Sequence, residues 1–276
     1  MTTKLKKMRL DDLLVERGEF PDRDAALRAV MAREVRVNDM YATSAAIKVA
    51  PTADIFIRGR KQFVSRGGKK LQGALDAFKQ DVAGMNCLDI GSSTGGFTDC
   101  MLQNGAEKVY AVDVGYGQLA WKLRSDPRVV CLERTNARYL THEQVPDELD
   151  FASVDVSFIS LKLILPPLNG LLKDGGHAAC LVKPQFEAGR EKVGKKGVVR
   201  DPAVHLEVLE HFLDHAGDAG FTVLGLTYSP IRGPEGNIEY LGYLEKGPRQ
   251  ERTFDLKALV DESHQTLKEH GEGGNP

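Results

Sequence analysis

The sequence predicts an α/β fold: a doubly wound, Rossmann-like and mostly parallel seven-stranded sheet, preceded by a small α+β unit. Three observations lead there. Beyond residue 60, short apolar strand-like runs alternate with stretches of helical periodicity, the pattern of a parallel sheet with crossover helices. One of these runs, Cys87 to Ile90, enters a glycine- and hydroxyl-rich turn that opens a helix. The charge is also divided: residues 1–63 hold 13 Lys and Arg against 9 Asp and Glu, whereas the remainder holds 24 against 30.

Within the front unit, Leu10, Leu13 and Leu14 fall at helical spacing and Gly18 stops the helix. Asp22 caps a second helix, with Ala25, Ala26, Leu27 and Val30 inward and Arg23, Arg28 and Arg33 outward. Val35 to Asp39 alternates like a strand and ends in the turn pair Asn38-Asp39. Ile47 to Val49 and Ile55 to Ile57 supply two further short strands. The boundaries expected are a small unit over 1–58 and a basic linker over 59–66, then a large domain over 67–250. A C-terminal helix and a disordered tail take up 251–276.

In the large domain, strands are expected over 87–90, 109–114, 129–132, 151–156 and 177–182. A helix over 202–216 and a closing hairpin from 221–228 and 239–245 follow, and 254–267 reads as an amphipathic helix. Glu187 to Arg200 is Gly-rich, basic and aperiodic, which predicts a mobile loop.

The 276 residues, 28% charged and 42% hydrophobic, have the composition of a soluble globular protein. No run approaches the roughly 20 apolar residues of a membrane helix, and the basic N-terminus lacks a secretory core. A cytoplasmic protein without membrane partners is expected. Cys87, Cys100, Cys131 and Cys180 are scattered among apolar neighbours, which signals neither a disulfide framework nor a metal site.

The chemistry concentrates at Asp89-Ile90-Gly91-Ser92-Ser93-Thr94-Gly95-Gly96-Phe97. After a strand of a doubly wound sheet, such a turn is where a nucleotide-like cofactor sits, with glycines for close approach and Ser93 and Thr94 as hydrogen-bonding groups. Asp113 ends the next strand, where an acidic side chain can accept from ribose hydroxyls. The spacing is GxxxGG and not the GxGxxG of dinucleotide sites, and no GK[ST] is present for a triphosphate. S-adenosylmethionine, which has a ribose but no phosphate, fits best, with Asp89 facing its charged end. Asp155, Lys183 and Glu239 lie at strand ends, and Lys70 opens the first helix of the large domain. Lys183, after an apolar strand, is either a reacting group or half of an ion pair.

The motifs VSRGGKKL, CLDIGSSTGGFTD, DVGYGQLAWKLR, ERTNAR, DVSFISL, LVKPQFE and GNIEY, spread over almost the whole chain, closely resemble those of the TlyA rRNA 2'-O-methyltransferases, also called hemolysin A, whose catalytic domain is FtsJ-like. The resemblance implies a class I methyltransferase fold binding S-adenosylmethionine. It places a Lys-Asp-Lys-Glu tetrad on Lys70, Asp155, Lys183 and Glu239, with Lys69 as a neighbour to RNA. It adds Phe97 and Asn136 to the cofactor set. It likens the front unit to the alpha-L, or S-four type, RNA-binding module, from which Asp22 (usually Ser) and Asn38-Asp39 (usually Asn-Gly) depart.

The reaction so implied is in-line attack of a ribose 2'-hydroxyl, of cytidine in the family, on the cofactor's methyl group, without a metal. Lys183 would act as base or as positioning group. Arg9, Arg23, Arg28, Arg66, Arg134 and Arg138, with the loop near 190–200, form a candidate phosphate-contacting set for ribosomal RNA or ribosomal subunits. Of the front unit's aromatics, Phe20, Tyr41, Phe56 and Phe63, at least two are expected in the core, which argues against a stacking platform and for an RNA read by shape. The alternatives are a non-catalytic ribosome-assembly factor, a small-molecule methyltransferase and a membrane-lysing hemolysin.

Overall fold

The computed structural model describes residues 7–269 except 39, 52, 54, 60, 61 and 251. Asp39 of the expected turn, Arg60 and Lys61 of the connector and the tail 270–276 lie outside the described residues. The chain divides into two units, Met1–Gln62 and Phe63–Pro276.

The small unit comprises β1 (Met8–Arg9), α1 (Leu10–Glu16), α2 (Arg23–Met31), β2 (Val35–Val37), β3 (Met40–Tyr41), β4 (Lys48–Val49) and β5 (Ile55–Ile57). β1 pairs antiparallel with β4, and β3, β2 and β5 form a three-stranded sheet in that order. Leu10, Leu13 and Leu14 of α1 are buried, and Gly18 follows with φ +66°. The Asp22 carboxylate accepts from the Ala25 N–H at 2.7 Å, a cap worth about 1 kcal/mol. The buried face of α2 is Ala26, Ala29 and Val30, while Leu27 is 42% exposed. The inward stripe is thus rotated toward Ala29, from which Leu27 stands about 160° around the helix. Asn38, with φ +47°, lies in the left-handed region in the two-residue connection of β2 to β3.

The larger unit comprises, in chain order, α3 (Gly67–Phe78), β6 (Asn86–Ile90), α4 (Gly96–Gln103), β7 (Lys108–Val112), α5 (Trp121–Arg124), β8 (Val129–Leu132), β9 (Leu149–Val154) and α6 (Leu165–Leu171). β10 (Leu172–Val182), α7 (Pro184–Glu187), α8 (Pro202–Asp218), β11 (Phe221–Tyr228), β12 (Tyr240–Lys246) and α9 (Leu256–Glu269) complete it. The sheet order is β11-β12-β10-β9-β6-β7-β8, parallel except for β12, which runs antiparallel to both neighbours. The order reverses at β6, whose neighbours are β7 and β9, and this is the switch point where such sheets open a crevice.

Side chains on one face of the sheet, such as Leu88, Val154 and Cys180, pack with Leu165, Leu209 and Phe212 of α6 and α8. The other face, such as Cys87, Val109 and Phe151, packs with Leu71, Leu75 and Met101 of α3 and α4. Phe63, in the expected linker, is buried in this second cluster, and the Val64 N–H donates to Asp99 at 2.9 Å.

The segment 187–200 is not the unanchored loop its composition predicts. It opens in α7 and a turn of 3-10 helix over Arg190–Lys192. Val198 and Val199 are buried, and the Asn237 side chain ties Gly197 and Val199 at 2.9 and 3.0 Å. The ring of fully buried His205 bridges the Val199 carbonyl (3.0 Å) and the Tyr240 hydroxyl (2.8 Å). Two valines and one asparagine outweigh the local glycine and lysine content. All four cysteines are free, and burial pushes the Cys87 and Cys100 thiols up to about 12, so neither is a nucleophile near neutrality.

Candidate active site

β7 and β9 stop earlier than their apolar runs, at Val112 and Val154, so that Asp113 and Asp155 stand just beyond the carboxyl ends of their strands. Lys183 directly follows β10. Glu239 directly precedes β12, and because Val182 pairs with Tyr240 in antiparallel register, the start of β12 lies where the parallel strands end. Parallel and antiparallel strands thus bring groups far apart in sequence to one edge of the sheet.

Two ion pairs are built there. Lys70, on the first turns of α3, pairs with Glu239, both almost fully buried. Lys183 pairs with Asp155 and also donates to the Ser157 hydroxyl at 3.2 Å. Of the adjacent lysines, Lys70 is buried and Lys69 exposed. The Gln185 amide donates to the second Glu239 oxygen at 3.3 Å, while its own oxygen is buried with no partner among the described residues. Ser157 and Gln185 were missed in the sequence. Each lies two residues from a member of the expected tetrad, and that spacing is the only signal that could have found them.

The residues expected to hold a cofactor separate into two sets. Asp113, half-buried, accepts from the Ser93 N–H at 2.8 Å and the Gly115 N–H at 2.7 Å. Each oxygen keeps a lone pair for a further donor. Ser93 and Thr94 are exposed, and Gly91 and Asn136 are half-buried. The Asn136 side chain accepts from the Arg138 N–H at 3.1 Å. A fixed carboxylate beside open hydroxyls suits the vicinal hydroxyls of a ribose, and in this respect the residues fit S-adenosylmethionine.

The second set points inward, against expectation. Asp89 has no exposure: its carboxylate accepts from the Thr98 N–H (2.8 Å), the Thr98 hydroxyl (2.6 Å) and the Ser153 hydroxyl (3.2 Å). Asp89 therefore pins α4 to the sheet instead of facing a ligand. Burial pushes its carboxyl up to about 7, against the opposing hydrogen bonds of Thr98 and Ser153. Phe97 is a core residue. A Cβ at Gly95 (φ +96°) would overlap Leu123, and one at Gly96 would overlap the Ser65 hydroxyl and crowd the Gly68 N–H. The missing side chains of these two glycines make room for Leu119, Leu123, the Ser65 hydroxyl and the start of α3. Gly91 (φ +85°) has no room for a Cβ either, because the Asp155 carbonyl occupies it, and this contact sets the spacing between the turn and the second ion pair.

Among the expected RNA-contacting arginines, Arg9 and Arg23 pair with Asp11 and Asp12. Arg28, Arg66, Arg134 and Arg138 are exposed. Arg66 donates to the Arg232 carbonyl at 3.3 Å, and Arg134 lies over the Tyr116 ring at 4.1 Å. Among the described residues, no cluster of three or more His, Cys, Asp and Glu could hold a metal ion, and no helix is long and apolar enough to cross a membrane.

A family model for FtsJ-like methyltransferases matches residues 63–246. The 16S/23S rRNA (cytidine-2'-O)-methyltransferase TlyA of Mycobacterium tuberculosis (strain H37Rv) is 43% identical over 266 residues, 96% of this chain and 98% of that protein. Hemolysin A of Brachyspira hyodysenteriae is 43% identical over 237 residues, 86% of this chain and 99% of that protein. A solved structure from Streptococcus thermophilus, provisionally described as a hemolysin, shares 47% identity at a TM-score of 0.75, covering 97% of this chain and 99% of that one. With the family model covering the whole sheet and relatives aligned along nearly the full chain, the protein belongs to the FtsJ-like methyltransferases, in the group that holds TlyA and hemolysin A.

Proposed function

We propose that this chain methylates the 2'-hydroxyl of a cytidine ribose in ribosomal RNA, using S-adenosylmethionine. The observation that carries the reading is the two lysine-carboxylate contacts at the switch-point edge, Lys70 with Glu239, both buried, and buried Lys183 with half-buried Asp155. Two lysines and a carboxylate buried at one sheet edge are costly for stability alone, since apolar residues would fill the space at least as well.

The cofactor supplies an electrophilic methyl group. Asp113 anchors the cofactor's ribose through its free lone pairs, and the backbone of the 91–96 turn lines the approach. Lys183, held by Asp155 and Ser157, orients the attacking hydroxyl, and once its ammonium has released a proton to solvent the free amine takes up the hydroxyl's proton as the new bond forms. A base poised at the hydroxyl is worth about 10² to 10⁴ in rate, and alignment of the reacting atoms contributes several kcal/mol more. Lys70 and Glu239 neutralise each other and fix the wall of the site, with Gln185 spanning from α7 to Glu239. The exposed arginines supply phosphate contacts that position the RNA without reading its bases.

The test is transfer of labelled methyl to purified, unmethylated small and large ribosomal subunits, followed by mapping of 2'-O-methylated nucleotides, with Lys183→Ala in parallel. Label on a cytidine ribose that disappears in the variant is expected. Absence of label on both subunits, despite measurable cofactor binding, would overturn the reading and favour a non-catalytic assembly role.

A further inference from the structure

In the small unit's three-stranded sheet, Arg36 of β2 stands directly opposite Tyr41 of β3 on one side and Phe56 of β5 on the other. Directly opposed residues share a face, so the three side chains form a row across the whole sheet. Val35 and Ile57, also paired, occupy the other face and are buried with Leu10, Leu14 and Val30. The row is the outward face, with Tyr41 and Phe56 each 49% exposed. The Arg36 guanidinium carbon lies 4.4 Å from the Phe56 ring centroid and 5.8 Å from that of Tyr41. Its Nε is buried with no hydrogen-bond partner among the described residues.

Cross-strand cation–π contacts of this kind stabilise a sheet face by only about 0.5–1 kcal/mol each, and here they leave two large rings half-exposed. Sequence reasoning counted the front unit's aromatics and set a stacking surface aside. The structure does place Phe63 in the core and packs Phe20 against the core. The two that remain flank a cation.

We propose that this row is a nucleobase-stacking surface on which an unpaired rRNA nucleotide is held, its base against Phe56 or Tyr41 and a phosphate against Arg36. The occupant follows from charge. The surface offers aromatic faces and a cation without an opposing carboxylate in the row, in a segment whose Lys and Arg exceed its Asp and Glu by four. Aromatic faces interleaved with Arg are the recurring chemistry of single-stranded recognition. The inference rests on the rRNA reading above and adds to it a second, non-catalytic contact that fixes which loop of the substrate is engaged.

The experiment measures equilibrium binding of the full chain to the ribosomal subunit it methylates, across a salt series, for wild type, Phe56→Ala, Phe56→Trp, Tyr41→Ala and Arg36→Gln. Each aromatic-to-alanine change should weaken binding about 5- to 100-fold with an unchanged salt slope. Phe56→Trp should restore wild-type affinity. Arg36→Gln should reduce the magnitude of the slope of log K against log salt by about 0.7 to 0.9, one phosphate contact. Circular dichroism and thermal melting verify that each variant is folded, and Phe56→Leu, which keeps apolar bulk without a π face, should bind as weakly as the alanine variant. Wild-type affinity in folded Phe56→Ala and Tyr41→Ala, with methylation intact, would overturn this inference alone. Failure of the wild-type chain to bind or methylate either subunit would overturn the rRNA reading and this inference with it.

Discussion

Replacing Asp89 by Asn tests whether the turn after β6 is held by a buried carboxylate. The native carboxyl titrates near 7 instead of the ordinary 3.8, chiefly because it is removed from water. At about 1.4 kcal/mol per pH unit, the charged form costs the folded state on the order of 4 kcal/mol. The sign follows from proton binding. The folded state holds the proton more tightly than the unfolded chain, so this group favours folding fully below pH 3.8 and progressively less as pH rises toward 7. Asn abolishes that dependence while keeping the shape. Its oxygen can accept from Thr98, and its amide can donate to the Ser153 hydroxyl, which is also 3.4 Å from the Leu88 carbonyl and can turn to donate there. Denaturant unfolding of both proteins from pH 4 to 8, followed through Trp121, which lies in the larger unit, isolates the difference because other titrating carboxylates cancel. The stability of Asp89→Asn relative to wild type should rise by about 4 kcal/mol, at most, across that range. Parallel pH profiles, agreeing within about 0.5 kcal/mol, would refute the assignment of Asp89 as a desolvated anchor.

Further outcomes follow from the same structure. Lys183→Ala should remove methyl transfer while leaving cofactor affinity, measured by calorimetry, within about twofold, if its proposed role toward the acceptor holds; near-native turnover would contradict this. Lys70→Ala leaves the Glu239 carboxylate buried without its cation and should cost about 3–5 kcal/mol in unfolding, whereas Lys70→Met with Glu239→Gln should recover stability but not activity. Gly95→Val places a branched side chain at φ +96° against Leu123 and Leu119, so the melting temperature should fall by an amount equivalent to roughly 2–6 kcal/mol; a stable variant that merely binds cofactor poorly would restore the close-approach explanation. With about four phosphate contacts from the exposed arginines, raising salt from about 50 to 200 mM should weaken RNA binding near 10²-fold, and a flat salt response would exclude the arginine set.

The sheet was legible because its strands are apolar runs of the right length, separated by helical periodicity. Asp113, Asp155 and Lys183 were legible for a related reason, as charged residues at the ends of apolar strands. Asp89 misled because a carboxylate before a glycine turn looks the same whether it meets a ligand or two hydroxyls of the fold. Gly95 and Gly96 have a packing role that was not legible: their neighbours Leu123 and Ser65 come from other elements, and no local pattern shows such contacts. The 187–200 segment was read from its lysines and glycines, while its order comes from Asn237 and His205, distant in sequence. Tyr41 and Phe56 became informative only once strand register set Arg36 between them.

The antiparallel last strand also has a consequence for biosynthesis. Lys70 and its carboxylate partner are separated by 169 residues. At about 5–20 residues per second, a translating ribosome leaves Lys70 without Glu239 for roughly 8 to 34 s. Over that interval the nascent chain can complete β6 through β9 but not the wall of the site. On the reading proposed above, the wall formed by Lys70 and Glu239 is incomplete while the chain is still emerging from a ribosome, and the site can close only after nearly the whole larger unit has left the exit tunnel.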